Sequence, residues 1–181
     1  MDRKGVDEEM SYIITLINTL VKLPNSNTII DQIKSSDKYY RIEINVDDVT
    51  PYDDIYYLEE LSYRGRIYIA TNLPKKTAYD ILNKFNIDAF ISNVISAEEP
   101  KAFTNNPNYF NYLLKITNLK TGYFITANDL SISVAKSFGL KTIFLDRDGK
   151  KSSVNSLKKL VEITSKSYVD SKIGDSALRC S

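Results

Sequence analysis

The sequence predicts an α/β fold in which a parallel sheet is covered by helices on both faces. From residue 52 onward, short apolar stretches alternate with amphipathic stretches of about ten to fifteen residues. Continuous apolar stretches are typical of parallel strands, because both faces of such a sheet are buried. Helix signals fall between them, with Pro74 at a predicted helix start and Gly139 at a predicted helix end. This alternation favours right-handed βαβ crossovers.

The elements of the repeating region follow from the spacing of its apolar residues. The predicted strands cover residues 67–70, 89–95, 123–126 and 142–145. The predicted helices cover residues 53–63, 75–85, 107–116 and 129–139, and a last amphipathic helix spans about 154–163.

The first forty residues predict a helical extension instead. Asp7 can cap a helix whose apolar residues recur at three- and four-residue spacing, namely Met10, Ile13, Ile14, Ile17, Leu20 and Val21. A short second helix is expected after Asn27, and residues 39–46 alternate as a strand does. We therefore expect a helical extension or cap remnant over residues 1–38, an α/β core over 39–166 and a loose tail over 167–181.

The composition excludes several kinds of chemistry and partner. The 181 residues include no histidine, and the one cysteine is Cys180. Ser-His-Asp and Cys-His catalysis, intrachain disulfides and thiolate metal clusters are therefore excluded. The net charge is +1, and residues 1–10 are too charged for a signal peptide. We expect a cytoplasmic protein that binds neither nucleic acid nor membranes.

Polar residues directly follow three of the predicted strands. Thr71 and Asn72 follow the first strand, Asn128 and Asp129 follow the third, and the Asp-Arg-Asp segment 146–148 follows the last. Ligands of an open parallel sheet bind beyond the carboxyl ends of its strands. Such a rim suits a bound anion, with or without a divalent cation. Alternatively, each residue only caps the next helix or starts a turn.

The order and spacing of these segments resemble the haloacid dehalogenase (HAD) superfamily. The stretch 67–72, an apolar strand ending in Thr-Asn, is similar to its second motif, and 123–129 with the following helix is similar to its fourth. The resemblance covers about residues 52–147. It implies a HAD-like, Rossmann-like core. For most members it also implies Mg²⁺-dependent phosphohydrolase activity, in which an aspartate at the end of the first strand attacks phosphorus.

The resemblance also implies roles for single residues. Thr71 would bind phosphoryl oxygens, Asn72 would shape the loop and contact the substrate, and Asn128 and Asp129 would face substrate and metal respectively. The catalytic lysine would be Lys101. The expected ligands are Mg²⁺ and a small phosphate-bearing molecule.

The lysine position and the acidic position depart from the family pattern. The family lysine is usually followed by proline, whereas proline precedes Lys101, and strict spacing would place the lysine at Thr104. The acidic residue usually found four positions before the helix alanine is Ser131. Thr126-x-Asn128 falls where the metal-independent dehalogenase branch has Ser-x-Asn.

The nucleophile motif Asp-x-Asp-x-Thr has no clean counterpart. At the end of the predicted strand 39–46, Asn45 stands in the nucleophile position, where it would contact substrate. Asp47, two residues later, is the candidate catalytic residue and metal ligand. A rival candidate, Asp2, has no predicted strand before it. Two hypotheses follow: a HAD-like hydrolase of the phosphomonoesterase type, or a catalytically inactive HAD-like binding or interaction protein.

Overall fold

The computed structural model describes residues 10–119 and 121–165. Its five-stranded sheet is parallel throughout, and two further short strands pair as a separate antiparallel sheet. The strands are β1 (Met10–Thr15), β2 (Val21–Lys22), β3 (Thr50–Pro51), β4 (Gly65–Thr71), β5 (Asn93–Ser96), β6 (Tyr123–Thr126) and β7 (Lys141–Phe144).

Helices connect these strands, as the repeating pattern predicts. They are α1 (Ser26–Lys34), α2 (Tyr57–Ser62), α3 (Lys75–Lys84), α4 (Pro107–Thr117), α5 (Ile132–Ser137) and α6, which is helical over residues 157–165. Two 3₁₀ turns cover Val46–Asp48 and Asp88–Phe90. The predicted α/β class with a parallel sheet is therefore confirmed. In the described part of the chain, no helix is both long and apolar enough to cross a membrane.

The strand order places β1 at the centre of the sheet. The order is β5-β4-β1-β6-β7, so the chain runs outward through β4 to β5 and then returns to β6 on the other side of β1. In this register, Thr15 is aligned with Ala70, and Ile14 is aligned with Ile125. The crevice of an open α/β sheet lies where the strand order reverses. In this protein, that point is the carboxyl end of β1.

The predicted N-terminal helix is wrong over residues 10–15, which form β1. Tyr12, Ile13 and Ile14 are fully buried, because a central parallel strand is covered on both faces. A continuous apolar run satisfies the helical spacing as well as the strand pattern, which explains the error. The described part of segment 1–38 therefore supplies the central strand, β2 and α1 rather than a helical extension. Residues 1–9, with Asp2 and Asp7, and the predicted tail 167–181 lie outside the described residues.

The strand predicted over residues 39–46 is also wrong. Residues 39–45 have no regular secondary structure, and Val46–Asp48 is a 3₁₀ turn. Ile42 is buried while Arg41 and Glu43 are exposed, so this segment packs one side against the core without pairing to a strand. An extended segment lying on a core shows the same alternation as a half-buried strand.

Candidate functional site

A buried cluster of threonines occupies the tips of the three central strands. Thr15 ends β1, Thr71 ends β4 and Thr126 ends β6, and all three side chains are buried. The Thr15 hydroxyl donates to Thr126 Oγ1 at 2.9 Å and lies 2.6 Å from Thr19 Oγ1. Thr126 in turn donates to the carbonyl of Asn128 at 3.1 Å. We call Thr15, Thr19, Thr71 and Thr126 the strand-tip cluster.

A tight turn after β1 brings Thr19 back to the strand tip. The carbonyl of Leu16 accepts hydrogen bonds from the N–H groups of Leu20 and Val21 at 3.0 and 3.1 Å. Asn18 occupies the left-handed region with φ 66°, which asparagine tolerates better than most residues. The Thr19 hydroxyl also accepts from the N–H of Ala127 at 2.9 Å, so this turn is tied to the end of β6.

A small cavity lies against the strand-tip cluster. Its volume is about 30 Å³, which is room for roughly two water molecules. Thr15, Thr71 and polar residues of the neighbouring loops line one side, and Ile17 with three isoleucines of α1 (Ile29, Ile30 and Ile33) contributes apolar lining. None of the described residues around this cavity is ionisable.

The polar groups beside the cavity are largely satisfied by other protein groups. Asn72 donates to the hydroxyl of Thr104 at 3.1 Å and accepts from the Thr104 N–H at 2.9 Å. Ser131 donates to Thr104 Oγ1 at 2.6 Å, and both hydroxyls are buried. Thr71 accepts from the N–H of Leu73 at 3.1 Å, and Asn128 accepts from that of Leu130 at 3.3 Å. These two contacts are typical of side chains that shape turns.

Four residues expected at the site lie elsewhere. Asp47 and Asn45 are exposed on the 3₁₀ turn, where Asn45 Oδ1 accepts from the Asp47 N–H at 3.0 Å. Lys84, in the last turn of α3, donates to the carbonyl of Val46 at 2.9 Å in the same turn. Lys101 lines a different cleft. Asp129, the fourth, also lies outside the strand-tip cavity.

Asp129 forms an ion pair with α1 instead of facing the strand-tip cluster. Lys34 Nζ lies 2.9 Å from Asp129 Oδ1, and both side chains are exposed. This hydrogen bond holds the pKa of the Asp129 carboxyl below its ordinary value and raises the pKa of Lys34. The structure thus brings Thr71, Asn72 and Asn128 together, as expected, and leaves Asp129 outside.

Buried charge is found farther along the same edge, after β7. Arg147 lies 2.7 Å from Asp54 Oδ2, donates to the carbonyl of Thr19 at 3.1 Å and stacks 4.0 Å above the ring of Tyr52. Asp146 accepts hydrogen bonds from the N–H groups of three loop residues, namely Lys151, Ser152 and Asp148. These bonds, led by that of Lys151, lower the pKa of Asp146. We call Asp54, Asp146 and Arg147 the charged rim.

The strand tips do not provide the ligands that Mg²⁺ prefers. Protein Mg²⁺ sites use carboxylates, whereas the described lining of the cavity offers only hydroxyl, amide and backbone oxygens. Within residues 10–119 and 121–165, no group of three or more His, Cys, Asp or Glu side chains could hold a metal ion. The expected Mg²⁺ ligands Asp47 and Asp129 therefore lie outside this cavity, and its described lining provides no carboxylate in their place.

The chain has a HAD-like fold, as comparison with solved structures shows. No protein-family model and no curated protein sequence matches the chain. A dehalogenase crystal structure matches with a TM-score of 0.71 at 15% identity, covering 87% of this chain and 98% of the other. The putative HAD-hydrolase YfnB from Bacillus subtilis, bound to magnesium, matches with a TM-score of 0.69 at 15% identity, covering 86% and 98%. A HAD phosphatase from Thermococcus onnurineus matches with a TM-score of 0.66 at 16% identity, covering 86% and 97%.

The residue at the tip of the central strand, Thr15, is not among those predicted at the site. In the Asp-x-Asp-x-Thr pattern, the strand-tip position corresponds to Thr15, the next acidic position to Ile17 and the threonine to Thr19. Because a helix is predicted over this segment, residues 15–19 are not expected to follow a strand as that pattern does. The signal that could have revealed it is a Thr-x-Ile-x-Thr stretch directly after the apolar run 12–14.

Proposed function

We propose that this protein does not catalyse hydrolysis and acts as a binding or interaction module built on a HAD-like fold. The observation that carries the proposal is the neutral side chain of Thr15 at the tip of the central strand. The hydrolytic mechanism implied by the resemblance needs a carboxylate at this position. A threonine hydroxyl is a weak nucleophile unless a neighbouring base removes its proton.

Among the residues that the structure describes, no such base lies beside Thr15. Its hydroxyl donates to Thr126, which is itself a neutral hydroxyl. Ile17, two residues later, has no proton to give or take. The described residues that line the cavity include no ionisable group. Both nucleophilic attack and general acid–base catalysis therefore lack a functional group at the strand tips.

The size of the cavity supports the same proposal. Small-molecule pockets commonly measure about 300–1,000 Å³, whereas this cavity measures about 30 Å³. Isoleucines of α1 contribute to its lining, so a phosphoryl group would meet apolar side chains where it needs hydrogen-bond donors.

The competing function is a Mg²⁺-dependent phosphomonoesterase that uses Asp47, Thr71 and Lys101. Its support is the fold, since a phosphatase and a magnesium-bound HAD hydrolase are among the structures it resembles. The positions of Asp47 and Lys101 away from the strand tips favour the non-catalytic proposal. The cytoplasmic location stays a prediction.

An activity assay separates the two functions. The purified chain is incubated with Mg²⁺ and 4-nitrophenyl phosphate and, separately, with 2-chloropropionate. We expect no product above the level given by a Thr15→Ala/Asp47→Asn double variant purified in the same way. Turnover by the wild-type chain that exceeds this control would contradict the proposal, and its loss in Asp47→Asn would establish the hydrolase.

A further inference from the structure

A second cleft, separate from the strand-tip cavity, lies between the segment after α1 and the loop after β5. Its volume is about 290 Å³, and it shares no lining residue with the strand-tip cavity. This volume approaches the lower end of the range for small-molecule pockets, about 300 Å³. Its principal lining side chains are Lys38, Tyr39, Lys101, Phe103, Asn105 and Asn106.

Two lysines give this cleft a positive charge. Lys38 and Lys101 are exposed, and neither has an ion-pair partner among residues 10–119 and 121–165. Asp37 is the one carboxylate in the described lining, so the lining carries a net positive charge. Lys101 is held at φ 53°, a left-handed conformation that is strained outside glycine. Unpaired lysines at one cleft favour an anionic ligand.

Aromatic rings form another part of the lining. The ring centroids of Tyr39 and Phe103 lie 5.1 Å apart, and those of Tyr40 and Phe103 lie 5.2 Å apart. These contacts fix the segment after α1 against the loop after β5. Tyr39 is half-buried, and its hydroxyl has no hydrogen-bond partner among the described residues. An aromatic lining favours a ligand with a flat ring or an apolar face.

Amide groups complete the lining. Asn106 Oδ1 accepts from the N–H of Asn108 at 2.9 Å and caps α4, which leaves its amide N–H groups as donors. Asn105 makes no side-chain hydrogen bond within the described residues and is half-buried. Free amides beside Asp37 suit a ligand whose hydroxyl and amine groups need acceptors and donors.

We propose that this cleft binds a small anion that carries a planar ring, of the nucleoside monophosphate class. The lysines would pair with the phosphate and the aromatic rings would contact the base. The two asparagines and Asp37 would hydrogen-bond the sugar or the base edge. A simple aromatic carboxylate would leave these last groups without partners. The proposal stands independently of catalysis, because no residue of the strand-tip cluster takes part.

Isothermal titration calorimetry of the full chain tests this site. The probes are AMP, GMP, CMP and UMP, with inorganic phosphate, adenosine and benzoate as comparisons. At least one nucleoside monophosphate should bind with a Kd below about 1 mM, and more tightly than the three comparison compounds. Lys38→Gln and Lys101→Gln should each weaken binding about tenfold, the effect of losing one hydrogen bond to a charged group. Lys115→Gln, which changes an exposed lysine of α4 outside the cleft, should leave the Kd unchanged.

Each other outcome overturns part or all of the proposal. Absence of binding by all four nucleotides overturns it. Equal affinity for inorganic phosphate or benzoate overturns the ligand class. Unchanged affinity in both lysine variants places the ligand elsewhere and overturns the site. Phosphate release, measured in the same samples, reports on the proposed lack of catalysis separately from binding.

Discussion

The strand-tip cluster and the charged rim lie along the same edge of the sheet but differ in chemistry. The cluster consists of neutral hydroxyls that hydrogen-bond to one another and to backbone groups. The charges of the rim are satisfied within the protein, Arg147 by Asp54 and Asp146 by backbone N–H groups. Charge is thus buried in the rim to hold loops in place, whereas the described lining of the strand-tip cavity carries none.

The strand-tip cluster is buried without an ionised side chain in the described lining of its cavity. Burying an unpaired charge is costly, whereas a chain of hydroxyls can satisfy itself. Thr104 and Ser131, at the positions that the resemblance assigns to a lysine and an acidic residue, contact each other at 2.6 Å. A neutral hydrogen bond thus joins the two positions at which the resemblance places charged residues.

Loss of the ion pair of the charged rim should reduce the free energy of unfolding most. Asp54→Ala should lower the free energy of unfolding by about 3 kcal/mol, because it leaves the largely buried Arg147 without its carboxylate. Urea denaturation at neutral pH measures this change. The matched control is Asp80→Ala, which breaks an exposed ion pair with Lys76 and should cost less than about 1 kcal/mol. Equal losses in the free energy of unfolding for the two variants would contradict a larger contribution from the charged rim than from an exposed ion pair.

The contribution of Asp146 to stability should be smaller and should depend on pH. The pKa of Asp146 is lowered in the folded protein, so its contribution to stability is present above the ordinary aspartate pKa of about 4. That contribution is lost as the pH falls through the lowered pKa. Asp146→Asn should therefore reduce Tm at pH 7, and the difference from wild type should shrink as the pH approaches 3. A difference independent of pH would exclude the carboxylate charge as its cause.

The smallest effect is expected at the exposed pair between α1 and the loop after β6. Lys34→Gln removes the partner of Asp129, but both groups are solvated, so the change should stay below about 1 kcal/mol. Differential scanning calorimetry at low and high salt measures it. The difference between wild type and variant should decrease at 0.5 M NaCl, since salt screens exposed charges. A loss of stability larger than about 1 kcal/mol in Lys34→Gln would indicate that this ion pair holds α1 over the cavity.

The second half of the fold could be predicted from the sequence, whereas its central strand could not. Strands β4, β6 and β7 are short, mainly apolar and bounded by helix signals, so their pattern predicts strands only. In β1, the run Tyr12–Thr15 satisfies both helix and strand spacing, and its pairing with β4 and β6 decides the outcome. That pairing joins segments that are far apart in the sequence, so the local hydrophobic pattern cannot predict it.

The candidate site could be predicted only in part for the same reason. Thr71, Asn72 and Asn128 follow predicted strands and do line one cavity. Thr15 is not predicted at a strand tip, because the pattern of its segment also fits a helix. The prediction of Asp47 rests on the alternation of residues 39–46, whereas that segment packs on the core without joining the sheet.

The most direct test of a neutral, closed crevice is to place a carboxylate in it. Thr15→Asp and its uncharged counterpart Thr15→Asn are compared by urea denaturation between pH 4 and pH 8. Desolvation should raise the pKa of the new carboxyl by about two units, so Thr15→Asp should be less stable than Thr15→Asn by about 3 kcal/mol at pH 8. This difference should fall below about 1 kcal/mol near pH 4, where the carboxyl is protonated in the folded state and only partly ionised in the unfolded state. Equal stability of the two variants at pH 8 would reveal a countercharge or open solvent at the strand tip and would contradict the account.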